Sequence, residues 1–251
     1  MSNKGFIYFI ETGFARGIGQ TREWWDYRLK IFEYYTLPSI LNQSNKDFYL
    51  IVHVDNRFPL LDELERMLKK YTSKYIIIND SLESSKQYFK FENKDFKEAQ
   101  YVCLTRIDSD DLFHKDVMKE IQQYRFRWRR ALILQKGYCY NCINKKLQHY
   151  KVFSPPNSTI MFPKEIFVDI KKRKDYIGEL HGHDQVFSRF NSIVLSEDKY
   201  IILVHSNNRR TLYYENAIEL GRTEIPTKRH NKILKNFGVN SLTYNKIIWR
   251  E

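Results

Sequence analysis

Short apolar runs alternate with amphipathic stretches along the first half of the chain. Four runs are too short and too rich in β-branched and aromatic residues for helices and predict strands: Phe6–Ile10, Phe48–Val54, Tyr75–Ile78 and Tyr101–Ile107. Three stretches have the apolar spacing of helices: Arg22–Tyr35, Leu60–Tyr71 and Ser84–Ala99. Pro38 interrupts the pattern after the first of them. Alternation of this kind predicts an α/β fold built on a largely parallel sheet flanked by helices.

The second half of the chain has a less regular pattern. It predicts further helices over the following stretches: His114–Trp128, Pro163–Lys171, Asp184–Phe190 and Lys228–Asn236. It predicts further strands at four places: Ala131–Gln135, Thr159–Phe162, Ile193–Leu195 and Tyr200–Val204. Gly137–Val152 reads as a hairpin, and Thr12–Gln20 reads as a glycine-bearing loop after the first strand.

Acidic residues follow the predicted strands at the positions where those strands end. Asp55 and Asp80 follow the second and third strands, and Asp108, Asp110 and Asp111 crowd together after the fourth. The carboxyl ends of parallel strands share one edge of an α/β sheet, which is where ligands bind. Clustered carboxylates repel one another unless a cation is present, and Mg²⁺ and Mn²⁺ prefer oxygen ligands. A helix N-cap is the alternative interpretation, but one carboxylate would satisfy it.

Composition limits the possible classes of protein. The 251 residues are 42% hydrophobic and 29% charged, which suits one globular domain. No apolar stretch is long enough to span a bilayer, and the N-terminal residues lack a signal-peptide core, so we expect a cytoplasmic protein. Three cysteines do not build a disulfide framework, so Cys139 and Cys142 are interpreted as ordinary thiols.

A net charge of +12 indicates an anionic partner. Basic clusters lie at Arg125–Arg130 and Lys171–Lys174, and residues 211–251 form a basic, partly helical extension after a domain of residues 1–210. Such clusters can be solvated helix ends, a surface that binds an anionic membrane peripherally, or a nucleic-acid site. We expect the solvated surface first, the membrane second and nucleic acid last.

Several segments occur in an order that resembles a known enzyme family. These segments are Thr36–Ile40 with Gln43, Phe48–Asp55, Arg106–Asp111, Gly182–Gln185 and His205–Asn208. The set resembles the nucleotide-sugar-dependent glycosyltransferases of the GT-A (Rossmann-like) fold, of the family-2 type, and is most similar to their rhamnosyltransferase branch. The resemblance covers about residues 5 to 210.

The resemblance implies a donor site with a divalent cation, Mn²⁺ or Mg²⁺. Asp110 matches the acid that binds the ion bridging the diphosphate, and Asp111 supports it. His205 matches a histidine that completes the coordination of the metal. Asp108 matches the first acid of the Asp-x-Asp motif, which contacts the ribose or the metal shell.

The remaining expected roles, some implied by the resemblance and some by position alone, divide between donor and acceptor. Asp55 matches an acid that binds the nucleoside, and Thr12 and Arg106 are expected to contact the nucleotide sugar. Asp184 matches the catalytic base of inverting members. Acceptor-side contacts are expected from three residues: His183, Asn208 and Ser158.

Four of these residues also have a purely structural interpretation. Asp184 can be an N-cap, Asp55 a turn former and His205 a hydrogen-bonded histidine at a strand end. Arg106 can pair with the neighbouring acids instead of the nucleotide.

The predicted function is metal-dependent, inverting transfer of a sugar, with rhamnose favoured. The donor would be dTDP- or UDP-linked, and the acceptor would be a glycan or a lipid-linked glycan. The alternatives are a sugar nucleotidyltransferase and a non-catalytic nucleic-acid-binding module.

Overall fold

The structure is a computed structural model that describes residues 5–14, 21–55, 57–79, 94–151, 157–178, 185–195, 198–205, 223–240 and 243. The larger sheet in this part of the chain has seven strands: β1 (Phe6–Phe14), β2 (Tyr49–Val54), β3 (Tyr75–Asn79), β4 (Tyr101–Asp108), β6 (Arg130–Leu134), β9 (Ser158–Pro163) and β10 (Asn191–Leu195). Their spatial order is β10-β6-β9-β4-β1-β2-β3. Only β9 among them runs antiparallel to its neighbours. This architecture confirms the predicted α/β class.

Alternate side chains of the central strand β1 enter two separate hydrophobic cores. Tyr8 and Ile10 belong to one core and Ile7 and Phe9 to the other. Successive side chains of a strand point to opposite faces of a sheet, so a strand that is apolar on both faces must be covered on both. Helices therefore lie on each side of the larger sheet.

The helices of the described chain divide between those two faces and the smaller sheet. Their bounds are α1 (Arg22–Ile31), α2 (Leu37–Leu41), α3 (Leu61–Tyr71), α4 (Lys94–Glu98), α5 (Val117–Ile121), α6 (Lys164–Phe167), α7 (Ile170–Ile177), α8 (Gln185–Arg189) and α9 (Thr227–Lys235). Residues of α1, α3 and α5 pack in the first core, and residues of α4, α6, α7 and α8 pack in the second. No helix among the described residues combines the length and the apolar composition needed to cross a membrane.

A smaller sheet extends from the end of β4. Its strands are β5 (Leu112–Phe113), β7 (Lys136–Asn141), β8 (Lys146–Lys151) and β11 (Tyr200–Val204), in the order β5-β11-β7-β8. The antiparallel pair β7 and β8 confirms the predicted hairpin. The three cysteines are buried and free.

The first helix differs from its prediction because it continues past Pro38. A π-helical turn, Phe32–Thr36, joins α1 to α2, and Pro38 lies in the first turn of α2. Proline inside a continuous helix removes one backbone hydrogen bond. Here it follows directly after the π-helical turn, where Leu37 N–H bonds to Phe32 O, five residues back, and the regular α-helical ladder is already interrupted. The loop predicted from Thr12 also begins later, since β1 runs to Phe14.

Two other helices are shorter than their apolar spacing predicts. The prediction of a helix over His114–Trp128 is wrong beyond α5, because Phe126 leaves the helical path and stacks on Tyr101 with ring centroids 4.4 Å apart. The helix predicted to run to Lys171 is divided, because Asp169 caps a new helix by accepting from Lys172 N at 3.0 Å. Tertiary packing and a capping side chain thus override the local pattern.

The C-terminal helix α9 shares a hydrophobic core with the smaller sheet. Leu234 and Phe237 pack in the same cluster as Leu112 and Leu203. The boundary predicted at residue 210 lies outside the described residues, so the division into a domain and an extension stays a prediction.

Gln43 joins α2 to α5 through three hydrogen bonds from a buried side chain. Its Nε2 donates to Ser39 O at 3.1 Å and His114 O at 2.9 Å, and its Oε1 accepts from Met118 N at 3.0 Å. We expect Gln43→Ala to lower the free energy of unfolding by about 2–4 kcal/mol, because buried backbone groups lose their partners. Urea denaturation measures this loss. The exposed Gln123→Ala is the matched control, and an equal loss in both variants would contradict the expectation.

Candidate functional site

The acids that follow β2 and β4 lie at one edge of the larger sheet. Asp108 and His53 both align with Gly13 of the intervening strand β1, and Asp55 follows His53 by two residues. These strands are parallel, so the edge is the carboxyl edge, as predicted. Asp80 lies outside the described residues.

Three charged or ionisable side chains converge beyond the end of β4. Arg28 Nη1 lies 2.7 Å from Asp110 Oδ2 and 3.0 Å from His205 Nε2, and those two acceptor atoms are 3.2 Å apart. Arg28 Nη2 donates to Ser109 Oγ at 3.0 Å. The side chains of His205, Arg28 and Asp110 are 0%, 9% and 15% exposed, so the cluster is largely removed from water.

The smaller sheet brings Asp110 and His205 together although 95 residues separate them. Strand β5 pairs antiparallel with β11, with Leu112 opposite Ile201. In an antiparallel pair, residues that precede Leu112 in the sequence lie beside residues that follow Ile201, and these lead toward His205. The pairing carries Asp110 to the end of β11.

The π-helical turn supports the other side of the cluster. Thr36 Oγ1, at the end of that turn, donates to Ser109 O at 2.9 Å. Arg28 reaches the same segment from α1, two turns earlier in the helix. Ser109 is thus held through both its carbonyl and its hydroxyl, which fixes the position of Asp110 beside it.

The hydrogen-bond chemistry of the cluster calls for a positive charge between Asp110 and His205. Arginine has only donors, so His205 Nε2 accepts from Arg28 when it carries the lone pair, and it donates to Asp110 Oδ2 when it carries the proton. With the lone pair at Nε2, Asp110 and His205 each direct an acceptor atom at the position of Arg28 Nη1. Burial alone would raise the pKa of the Asp110 carboxyl, but the Arg28 charge holds it well below its usual range. Burial lowers the pKa of His205, with the Arg28 charge acting in the same direction.

Asp111 lies beside this cluster in a different environment. It is 4% exposed, and burial raises its pKa well above the usual value, with the charges of Asp110 and Asp108 adding to the effect. Leu203 of β11 donates a backbone hydrogen bond to it, which partly opposes that rise. Asp111 is therefore anchored to the smaller sheet instead of facing Arg28 with Asp110.

Two predicted donor-binding acids carry arginine partners of their own. Asp108 accepts from Arg106 Nη2 at 2.9 Å, and both side chains are more than two-fifths exposed. Asp55 forms a two-pronged pair with Arg57, with both N–O distances 2.9 Å. The structural interpretation of Arg106, a pair with a neighbouring acid, is thus realised in this structure.

Residues 18–212 match the protein family described as "Putative rhamnosyl transferase". The chain belongs to this family. It is a glycosyltransferase, which confirms the predicted class of enzyme. No curated protein matches its sequence.

Solved structures with similar folds share little sequence with this glycosyltransferase. S. aureus TarS 1-349 in complex with UDP-GlcNAc is 13% identical, with 92% of this chain and 71% of that chain covered and a TM-score of 0.46. The inositol-1-phosphate CTP transferase from T. maritima is 12% identical over 87% and 98% of the two chains, with a TM-score of 0.43.

The other predicted site residues of the glycosyltransferase have separate locations. Thr12 lies in β1 and is fully buried, and its hydroxyl has no hydrogen-bond partner among the described residues. Ser158 is the first residue of β9 and is half-buried. Asp184, His183 and Asn208 lie outside the described residues.

Arg28 is the site residue that the sequence interpretation missed. It lies on the buried side of α1, three residues after Trp25 and four before Phe32, both of which are core residues. An arginine on the apolar face of a helix requires a buried anion as its partner. The position of Arg28 on that face was therefore the feature of the sequence that could have identified it.

A cavity of about 390 Å³ opens at the other end of the smaller sheet. Lys136, Asp198 and Phe237 contribute to its lining. Lys136 begins β7 and Asp198 precedes β11, whereas His205 follows the end of β11. The cavity is therefore separate from the cluster at Asp110.

Removing Arg28 should leave a buried carboxylate without its charge partner. We expect Arg28→Met to lower the free energy of unfolding at pH 7 by about 3 kcal/mol, since breaking one side of a buried pair is costly. The pair stabilises the fold above the unfolded pKa of Asp110 and loses its effect only as pH falls through the depressed folded pKa. Denaturant titration at pH 7 measures the loss.

A double-mutant cycle separates the pair from a general effect of losing arginine. Adding Asp110→Asn should recover part of the loss, so that the double variant loses less stability than the two single variants combined. The exposed Arg66→Met should change stability by less than about 0.5 kcal/mol. Additive losses in the cycle would show that Arg28 and Asp110 do not stabilise one another.

Proposed function

We propose that the enzyme transfers a sugar, with rhamnose favoured, from a dTDP- or UDP-linked donor to a hydroxyl of a glycan or glycolipid. The observation that carries this proposal is the convergence of Arg28, Asp110 and His205 at the carboxyl edge of the larger sheet. A nucleoside diphosphate carries negative charge that must be neutralised as the glycosidic bond breaks. A buried cluster organised around a positive charge suits that requirement.

Two residues of the cluster, Asp110 and His205, are candidate ligands of a divalent cation. Asp110 Oδ2 and His205 Nε2 both lie within 3.0 Å of Arg28 Nη1, so one positive centre can contact a carboxylate and a neutral imidazole together. Mg²⁺ and Mn²⁺ take such ligands and fill their remaining positions with water and substrate phosphates. When bound, the ion would act as a Lewis acid toward the departing diphosphate. Among the described residues, no three His, Cys, Asp or Glu side chains lie close enough together to hold a metal ion.

Arg28 has a second part in this proposal. A guanidinium can bind phosphate oxygens through paired N–H groups. In this structure Arg28 Nη1 occupies the position between Asp110 and His205, so the guanidinium would have to move aside for the ion. Its released N–H groups could then turn toward the diphosphate.

The acceptor side of the proposal rests on Asp184. It immediately precedes α8, whose first residue is Gln185. As a base, its carboxylate would take the proton of the acceptor hydroxyl while that oxygen attacks the sugar carbon from the face opposite the diphosphate. Attack from the opposite face inverts the configuration at that carbon.

The donor site should respond to nucleoside diphosphates in the presence of Mn²⁺. We expect UDP or dTDP with Mn²⁺ to raise the melting temperature, because a ligand at one hundred times its Kd stabilises the native state by about 2.7 kcal/mol. Asp110→Ala should abolish the shift, since it removes a ligand of the cation. Differential scanning fluorimetry with and without Mn²⁺ measures both effects.

Asp62→Ala on the outer surface of α3 is the matched control and should keep the full shift. Mn²⁺ alone provides a readout that does not depend on turnover. A shift that Asp110→Ala retains would contradict the proposed donor site.

The proposed base should affect turnover without affecting donor binding. We expect Asp184→Asn to lower kcat by about 10²–10⁴-fold, the usual contribution of a positioned acid or base. Its melting-temperature shift with nucleoside diphosphate should equal that of the unmodified enzyme. Rates of donor consumption with a glycan acceptor measure the first effect. Unchanged turnover in Asp184→Asn would exclude this residue as the base.

A further inference from the structure

Trp128 is displayed on the surface at the turn that precedes β6. Its side chain is 60% exposed, and its ring meets Tyr176 of α7 edge-on, with centroids 5.2 Å apart and planes at 86°. One edge of the ring is therefore covered by the protein, and the larger part of its surface faces solvent. A single exposed ring is common on protein surfaces, so its meaning depends on the residues around it.

Tertiary contacts hold this turn in one conformation. Arg129 has φ of 49°, a left-handed conformation that costs a non-glycine residue about 1–2 kcal/mol. Its N–H donates to Tyr176 Oη and its Nε donates to Arg189 O, both at 2.8 Å. Its guanidinium also lies over the rings of Tyr176 and Phe190, at 5.4 and 5.1 Å. The turn is thus fixed with Trp128 pointing away from the core.

Cationic residues lie next to Trp128 in the sequence and on the neighbouring helix α7. Arg125 and Arg127 are exposed on the same turn, and Lys172 lies on α7 one helical turn before Tyr176. The nearby acids are Asp169, which caps α7 and lies 3.8 Å from Lys172, and the exposed Asp175. Basic side chains outnumber these acids. We call Arg125, Arg127, Trp128, Arg129 and Lys172 the basic-aromatic patch.

We propose that the basic-aromatic patch binds the surface of a bilayer that contains anionic phospholipids. Tryptophan prefers the interface between headgroups and acyl chains, where its ring is amphipathic. Neighbouring lysine and arginine residues are attracted to anionic headgroups, and each contributes about a fivefold gain in affinity. The net charge of +12 acts in the same direction.

A membrane fits this patch better than a single-stranded nucleic acid does. Nucleic-acid strands bind along grooves where successive bases stack on several exposed rings. In the patch only Trp128 offers an open ring, because Tyr176 and Phe190 are 4% and 5% exposed. One protruding ring within a cationic surface suits shallow insertion into a bilayer.

The patch lies at the opposite edge of the larger sheet from the donor site. Arg130, next to the patch, begins β6, which runs parallel to β4. Through their shared neighbour β9, Arg130 of β6 aligns with Cys103 of β4, which precedes Asp108 by five residues. The edge that carries the patch and the edge that carries Asp108 are therefore about 16 Å apart along the strands. Bilayer binding therefore leaves the donor site open, and it does not depend on the proposed function.

Sedimentation of the full chain with vesicles tests the proposal. We expect binding to vesicles of phosphatidylcholine with about one-third phosphatidylglycerol, and little binding to phosphatidylcholine alone. Arg127→Glu with Lys172→Glu should weaken binding at least tenfold, since each lost cation contributes about fivefold. Trp128→Ala should weaken it severalfold. The unmodified chain should show a blue shift of tryptophan emission with these vesicles, and Trp128→Phe should bind without most of that shift.

Matched variants on α3 distinguish the patch from overall charge. Arg66→Glu with Lys70→Glu makes the same change in net charge on another exposed surface, and Tyr71→Ala removes another exposed ring. Both should bind vesicles as the unmodified chain does. Three outcomes would overturn the proposal. The first is that the unmodified chain does not bind the anionic vesicles, and the second is that the α3 variants lose as much vesicle binding as the patch variants. The third is that the patch variants lose binding to an oligonucleotide but keep binding to the vesicles. Melting temperatures show whether each variant is folded.

Discussion

The Asp110 carboxylate stays charged in a largely buried position because Arg28 and His205 lie against it. Burial opposes that charge, and the Arg28 guanidinium outweighs the burial. The arrangement places demands on distant parts of the chain, since α1 must supply the cation, the segment after β4 the anion, and the end of β11 the imidazole. Each of these elements is anchored in a hydrophobic core, so the free energy of apolar packing offsets the cost of burying the polar cluster.

The two sheets position different residues of this site. The larger sheet brings the ends of β2 and β4 to one edge, which places Asp55 and Asp108 there. The smaller sheet then folds the chain after β4 onto β11, and this pairing sets the distance between Asp110 and His205. A strand of two residues, β5, is therefore enough to join the parts of the site, because its register with β11 is fixed by the buried Leu112 and Phe113.

The strands were the most predictable part of this chain because their apolar runs are short, β-rich and bounded by polar residues. Helix ends were less predictable, as Phe126 shows, because a long-range ring contact ended a pattern that looked helical locally. Asp110 and His205 could be paired before the structure was known only through the resemblance to a family. Arg28 was not found, since a single arginine in an amphipathic helix looks like surface until the anion opposite it is known.

The π-helical turn at Phe32–Thr36 sets the rotation of α1 about its own axis. Such a turn contains one residue more than an α-helical path would. Each residue of an α-helix advances about 100° around the axis, since a turn takes 3.6 residues. Deleting one residue here would restore a regular helix and swing Arg28 roughly a quarter-turn away from Asp110. The helix would still form, but its arginine would lose the buried carboxylate opposite it, so the site as well as the core constrains the number of residues in α1.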